Sequence, residues 1–139
     1  MKTVIALLCL LLLLVQVGCV AVPAPIPSAY QPTEVENVGI RITNVSPTGA
    51  TVYIQDDNPD PYVYGEWYAI ERETDGAWFA VDTVIDDYGF NDLGYMPNPN
   101  GELKFSTDWK WLYGELPTGH YRLLKQVNRQ YLSVEFDIA

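Results

Sequence analysis

The stretch DWKWLYGELPTGHYRLLKQV, residues 108–127, contains the two side chains of this 139-residue sequence that most resemble an acid–base pair. Glu115 and His120, the single histidine, lie five positions apart, and such a pair can move a proton to and from a substrate. No serine or cysteine nucleophile and no second carboxylate is marked out beside them. His120 also precedes Tyr121 in a predicted strand, so the two side chains point to opposite faces and His120 is exposed. The pattern therefore predicts no catalytic residue.

The same stretch predicts a corner of a β-sheet instead. Asp108 can cap a single helical turn over 109–113. Pro117 and Gly119 then make a turn into the next strand, with Tyr121 near its start. This is the pattern of the tyrosine corner in immunoglobulin-like sandwiches, in which the phenol bonds back to the upstream backbone. The residues that we expect to build the corner are Trp111, Gly114, Pro117, Gly119 and Tyr121.

About seven short segments alternate apolar and polar side chains, as half-buried strands do. In the first of them Val38, Ile40 and Ile42 share one face. The sequences DG at 75–76 and VNRQ at 127–130 suit tight hairpin turns. This layout, without a long helical pattern, predicts an all-β fold: an immunoglobulin-like antiparallel β-sandwich with one short helical turn before the tyrosine corner. The aromatic residues expected in or near the core are Trp67, Trp78 and Phe136.

The beginning of the chain has the pattern of an export signal. One charge, Lys2, precedes a long apolar run, and the run ends in VGC. Cys19 would be the one cysteine left after export, and a lone thiol in an oxidising compartment has no disulfide partner. We therefore predict a lipoprotein-type signal peptide over residues 1–18 and lipidation of Cys19. Cleavage after Ala21 and an uncleaved membrane span remain alternatives.

A proline-rich segment follows, and residues 19–36 are predicted to form an extended tether before a domain over 37–139. As a polyproline-like chain, the 16 residues VPAPIPSAYQPTEVEN reach up to about 50 Å. Removal of Lys2 leaves seven basic residues against 18 acidic ones, a formal charge near −11. Such a charge argues against nucleic acid and against anionic lipid head groups as partners.

Three motifs, in this order, are similar to those of a family of bacterial immunoglobulin-like domains. YVYGEWY at 62–68 matches Y-x-Y-G-E-x-Y, WKWLYGELPTGHYR at 109–122 matches W-x-W-L-Y-G-x-L-P-x-G-x-Y-R, and YLSVEF at 131–136 matches Y-x-x-x-E-F. The resemblance covers residues 38–138 and implies a small exported or lipid-anchored protein. It implies no catalytic residues, since the family has no established enzymatic activity. The final hairpin, QVNRQYL, is shorter than in relatives, so the resemblance implies no ligand site on that loop.

Acidic residues and aromatic residues each suggest a weaker possibility. Asp56, Asn58 and Asp60 alternate as at the start of a calcium loop, but Pro61 stands where such a loop needs glycine. We therefore predict no metal ligand and no cofactor. A weak calcium site there or over 86–92 stays open as an alternative. The chain also has four tryptophans and ten tyrosines, and a row of exposed rings would stack on sugars.

We therefore expect a monomeric, membrane-tethered extracytoplasmic interaction module that is not an enzyme. Its expected partner is an envelope protein, a peptide or a polysaccharide, and its lipid anchor would hold it at the outer face of the cytoplasmic membrane unless it is secreted. Two alternatives stay open. One is an inhibitor or sensor of an envelope protein that acts through loops such as YMPNPNGE, and the other is a carbohydrate-binding module with exposed aromatic residues.

Overall fold

The computed structural model describes residues 20–139, which form two antiparallel sheets packed against each other. One sheet has the strand order β1-β2-β5 and the other β4-β3-β6-β7. The predicted all-β, immunoglobulin-like sandwich with a single helical turn is confirmed. The elements are β1 (Val38–Ser46), β2 (Gly49–Asp56), β3 (Tyr68–Thr74), β4 (Ala77–Ala80), β5 (Glu102–Asp108), α1 (Lys110–Tyr113), β6 (Gly119–Val127) and β7 (Gln130–Ile138).

Two hairpins close with two-residue turns, as their sequences predict. Asp75 and Gly76, between β3 and β4, have φ values of 52° and 80°. Asn128 and Arg129, between β6 and β7, have φ values of 42° and 66°. Positive φ at both central residues is typical of the type I′ turn, whose twist matches that of the flanking strands.

The core lies between the sheets and is centred on Trp109, which is fully buried. Its ring stacks on Phe136 with 5.4 Å between centroids, and Phe136 in turn stacks on Tyr121 at 5.6 Å. A second cluster gathers around Tyr64, which lies before β3 and pairs with Tyr95 through an isolated bridge. Successive strand residues point to opposite sheet faces, so residues 121, 123, 125 and 127 of β6 all point into the sandwich.

The corner before β6 is held by side-chain hydrogen bonds to backbone carbonyls. The Tyr121 hydroxyl donates to the Pro117 carbonyl at 2.6 Å, which is the bond of a tyrosine corner. Trp109 Nε1 donates to the Pro47 carbonyl at 2.8 Å. Asp108 Oδ1 accepts the Lys110 N–H at 2.9 Å, and α1 ends at Gly114 with a φ of 70°, which favours glycine.

The structure differs from the sequence analysis in the role of Trp111. Trp109 fills the core, whereas Trp111 keeps 42 % of its surface exposed. Two residues apart in a helical turn are rotated by about 200°, so only one of the two rings can face inward. Trp67 and Trp78 are half-buried and lie outside the two buried clusters.

Residues 26–35, which we call the strap, lie along the domain, although a free tether was expected. The Ile26 carbonyl accepts the Ala80 N–H, and the Ser28 N–H donates to the Trp78 carbonyl, so the strap pairs with the edge strand β4. Tyr30 then packs edge-on against Trp67 at 5.5 Å. Pro27, which lies opposite Phe79 of β4, has no N–H to donate. Proline is tolerated at this position because it lies at the edge of a sheet.

Residues 20–25, the part of the predicted tether that precedes the strap, are all exposed. The predicted signal peptide over 1–18 and the predicted lipidation at Cys19 lie outside the described residues. Within residues 20–139, no helix has the length and apolar character needed to cross a bilayer.

Candidate functional site

The connection from β4 to β5, residues 81–101, is long and contains no strand. It passes the end of the sandwich, where Val84 N–H donates to the Leu112 carbonyl, and reaches Tyr95 beside Tyr64. Long irregular connections in compact domains usually serve a function. Between this connection and the edge strand β5 the structure has an open cavity of about 310 Å³. Its lining residues are Glu66, Tyr68, Phe90, Phe105, Ser106, Thr107, Asp108, Trp111 and Lys125.

Lys125 is the unusual member of this lining, because it is a lysine on the core face of β6. Its side chain points inward between Tyr68 and Leu132 of the neighbouring strands, and the residue is only 3 % exposed. Its ammonium donates to the Gly65 carbonyl at 2.6 Å and lies 3.9 Å from the centroid of the Phe105 ring. No carboxylate of residues 20–139 forms an ion pair with it.

Burial lowers the pKa of Lys125 from the ordinary value of 10.5 to about 8, and the nearby charge of Glu66 opposes this change only in part. A difference of this size between the folded and unfolded chain corresponds to about 3 kcal/mol against keeping the charge inside. The charged form of Lys125 is therefore less favourable in the folded chain than in the unfolded one, and such a charged group in a cavity is more typical of a ligand site than of a core.

We predict that Lys125→Met raises the free energy of unfolding by about 1–3 kcal/mol at pH 7, because a well-packed apolar side chain replaces a buried charge. The unfolded wild-type chain binds more protons than the folded one between pH 8 and 10.5, so wild-type stability should rise across this window. The variant should lose that rise. Urea denaturation from pH 7 to 10.5 measures both effects. Lys104→Met, on the exposed face of β5, should change neither.

Two carboxylates lie in the same lining as Lys125. Glu66 Oε1 accepts the Tyr95 hydroxyl at 2.6 Å, and its Oε2 accepts the amide of Asn91 at 3.0 Å. Both partners belong to the 81–101 connection, which is thereby fixed beside the cavity. Asp108 is exposed and uses Oδ1 at the start of α1. The cavity thus presents one cation and two anions that are not paired with each other.

Aromatic rings form the other walls of the cavity. Tyr68 is buried, and burial raises the pKa of its phenol, so the hydroxyl stays protonated and donates to the Asp108 carbonyl at 3.2 Å. The Phe90 ring meets Tyr68 edge-on at 5.2 Å and Trp111 at 5.8 Å. Tyr88 extends the group outward, 6.4 Å from Trp111. Trp111 and Tyr88 are 42 % and 45 % exposed, which leaves both rings accessible.

The two candidate acid–base residues do not come together. Glu115 is exposed and approaches Lys110 at 3.7 Å. His120 lies between two other carboxylates: Nδ1 is 2.7 Å from Asp137, and Nε2 is 2.9 Å from Glu135. Both ring nitrogens face acceptors, which suits the imidazolium form. The arrangement is a surface charge cluster without a nucleophile.

We predict that the pKa of His120 is raised above the ordinary value of 6.5, because hydrogen bonds to Asp137 and then to Glu135 favour its charged form. These bonds stabilise the fold below pH 6.5, and their contribution disappears as the pH rises through the folded pKa. Since His120 is the single histidine, one ring resonance followed by NMR reports it directly. Asp137→Asn and Glu135→Gln should each lower the pKa, and an unchanged value in both variants would contradict the assignment.

In the acidic loop over 56–60, which suggested a calcium site, Asp56 has a structural role. Asp56 is 2 % exposed, and both of its oxygens accept hydrogen bonds from the N–H groups of Asn58 and Tyr62 and from the Tyr64 hydroxyl. Residues 20–139 contain no group of three or more acidic, histidine or cysteine side chains arranged to hold a metal ion.

Lys125 was not among the predicted site residues, although the alternation in β6 contained the information. Tyr121 and Leu123 are core residues of the predicted strand, and Lys125 continues their face. Charged residues on a core face are rare enough to deserve notice. The participation of Glu66 and Phe90 depends on how the 81–101 connection folds, and no periodic pattern predicts that.

Two packed antiparallel sheets and a tyrosine corner before β6 define an immunoglobulin-like β-sandwich. The family model described as bacterial Ig-like domain matches residues 34–137, and the chain belongs to this family. The resemblance inferred from the three motifs is therefore confirmed. The chain has no significant match among curated proteins or among solved structures. Domains of this family are typically non-enzymatic.

Proposed function

We propose that this protein is an exported interaction module, tethered to the membrane, that binds its ligand in the cavity between β5 and the 81–101 connection. The observation that carries the proposal is Lys125, a buried cation without an ion-pair partner among residues 20–139, in the wall of an aromatic cavity. Small-ligand sites combine mostly apolar walls with a few convergent polar groups, as this cavity does. Because domains of this family are typically non-enzymatic, we propose binding rather than catalysis.

The proposed anchor is a lipid on Cys19, supported by the signal-like sequence before it. If Cys19 carries the lipid, the six exposed residues 20–25 span about 20 Å in extended form before the strap begins. The domain would then stay close to the membrane. Intact mass of the native chain tests the anchor: a diacylglycerol-sized increase on a chain that starts at Cys19 should disappear in Cys19→Ala. A native chain that starts later and carries no lipid would contradict it.

Binding of the labelled exported chain to isolated cell envelopes tests the module itself. We expect saturable binding that falls at least tenfold in Trp111→Ala, since this ring lies at the cavity and is exposed. Tyr53→Ala is the matched control, because Tyr53 is an aromatic residue of β2 that stacks with Arg41 at 3.6 Å and does not line the cavity. Absence of saturable binding, or equal loss in both variants, would contradict the proposal.

A further inference from the structure

The charges in the cavity restrict the ligand that it can hold. The Lys125 ammonium has three N–H donors, and among residues 20–139 it uses one, at the Gly65 carbonyl. The carboxylates of Glu66 and Asp108 only accept hydrogen bonds when they are ionised. A ligand in this cavity therefore meets a hydrogen-bond donor, Lys125, and two carboxylate acceptors, Glu66 and Asp108, within one small volume.

A ligand with a net charge fits this lining poorly. An anion placed at Lys125 also faces the charge of Glu66, which is close enough to influence the pKa of Lys125. A cation placed at Glu66 faces the ammonium. A hydroxyl group avoids both conflicts, because it can accept from the ammonium and donate to the carboxylate. Neighbouring hydroxyls on a rigid ring make this bridge without adding a charge.

The aromatic walls fit the apolar face of such a ring. Trp111 and Tyr88 are exposed side by side, and Phe90 lies 5.8 Å from Trp111. Aromatic rings of this kind offer a large apolar surface at low entropic cost. The Thr107 side chain lines the same cavity and adds one hydroxyl that both donates and accepts.

From this combination we infer that the cavity binds a neutral saccharide, with neighbouring hydroxyls between Lys125 and Glu66 and a sugar face against Trp111. The inference rests on the proposed function, since it names the ligand class of the same site. The cost of burying the Lys125 charge is then the cost of holding a donor in place for the ligand.

An array of neutral, acidic and amino-bearing oligosaccharides tests the ligand class with the exported chain, and calorimetry then measures the affinity of the best neutral one. We expect the strongest binding to neutral members. Lys125→Met and Trp111→Ala should each lower the affinity at least tenfold, while Lys104→Met and Tyr53→Ala leave it within twofold. Lys125→Met is expected to be more stable than the wild type, so a loss of affinity in that variant does not come from unfolding.

Three results would overturn the saccharide assignment. They are no binding to any neutral oligosaccharide, tighter binding to acidic members than to their neutral counterparts, and tighter binding to amino-bearing members than to their neutral counterparts. If envelope binding nevertheless depends on Trp111, the proposed module stands and its ligand is a protein or peptide. If neither the array nor the envelopes give binding that depends on Trp111, the proposed function fails as well.

Discussion

Arg122→Met is expected to lower the free energy of unfolding by about 3–5 kcal/mol. Arg122 forms two short contacts with Oε2 of Glu71, 2.7 Å from Nε and 2.6 Å from Nη2. Glu71 is 1 % exposed, and within residues 20–139 its second oxygen, Oε1, has no hydrogen-bond partner. Removal of the guanidinium would leave a buried carboxylate with no counter-charge, which costs far more than the loss of a contact.

The strap and β4 shield this ion pair from water. Arg122 Nη2 also donates to Ser28 Oγ at 3.2 Å, and the guanidinium lies 4.5 Å from the centroid of the Trp78 ring. The ion pair is therefore enclosed by Ser28 of the strap and by Trp78 of the edge strand β4. Unfolding of the strap should expose it, so we expect the strap to unfold together with the sandwich.

Urea denaturation of the exported chain measures the effect, and the matched control is Arg41→Met. Arg41 pairs with Glu102 at 3.1 Å, but the two side chains are 56 % and 41 % exposed, so the control should lose less than about 1 kcal/mol. The double variant Glu71→Leu/Arg122→Met should regain most of the stability lost in Arg122→Met, since it leaves no unpaired charge. Equal losses for the arginine variants in the buried and exposed pairs would contradict the account.

The strands and their turns followed from the sequence because the information for them is local. Alternation places Leu132, Val134, Phe136 and Ile138 on one face of β7. Of the central residues of the two I′ turns, Asp75, Gly76 and Asn128 are of types that tolerate positive φ, whereas Arg129 is not. The tyrosine corner is local too, since Tyr121 bonds to a residue four positions earlier.

The parts that did not follow from the sequence depend on contacts between distant segments. The prolines predicted an extended segment, but the attachment of the strap relies on Tyr30 meeting Trp67 and Tyr131, which are far away in the chain. Likewise, the WKW sequence does not say which ring faces the core. That choice is set by the Pro47 carbonyl, which accepts a hydrogen bond from the indole Nε1–H of Trp109 across 62 positions.

Like Arg122, Asp56 is a buried charged side chain that joins separate segments of the chain through hydrogen bonds. Its Oδ2 accepts the Tyr62 N–H and the hydroxyl of Tyr64, both at 2.8 Å. Its Oδ1 accepts the N–H and the side-chain amide of Asn58 at 3.0 and 2.8 Å. Tyr64 is fully buried, so its hydroxyl has no access to bulk water. Asp56 thereby joins the end of β2 to the segment that leads into β3.

Asp56→Ala is expected to lower the free energy of unfolding by at least about 3 kcal/mol at pH 7, because the buried hydroxyl of Tyr64 and two backbone N–H groups lose their acceptor. Burial alone would raise the pKa of Asp56, but the hydrogen bonds from Tyr62, Asn58 and Tyr64 together outweigh it, so the pKa is lowered. A carboxyl with a lowered folded pKa contributes its stability above the unfolded value near 4 and loses it as the pH falls through the folded value.

The stability difference between wild type and Asp56→Ala should therefore be constant from pH 7 to about 5 and should shrink below pH 4. Urea denaturation from pH 7 to 2.5 measures this difference. The matched control is Asp57→Ala, which changes the exposed neighbouring residue and for which we expect a loss within about 0.5 kcal/mol. Tyr64→Phe removes the hydroxyl alone, so combining it with Asp56→Ala should cost less than the sum of the two. Additive losses would mean that Asp56 and Tyr64 act independently, and the bond at 2.8 Å would then contribute little to the fold.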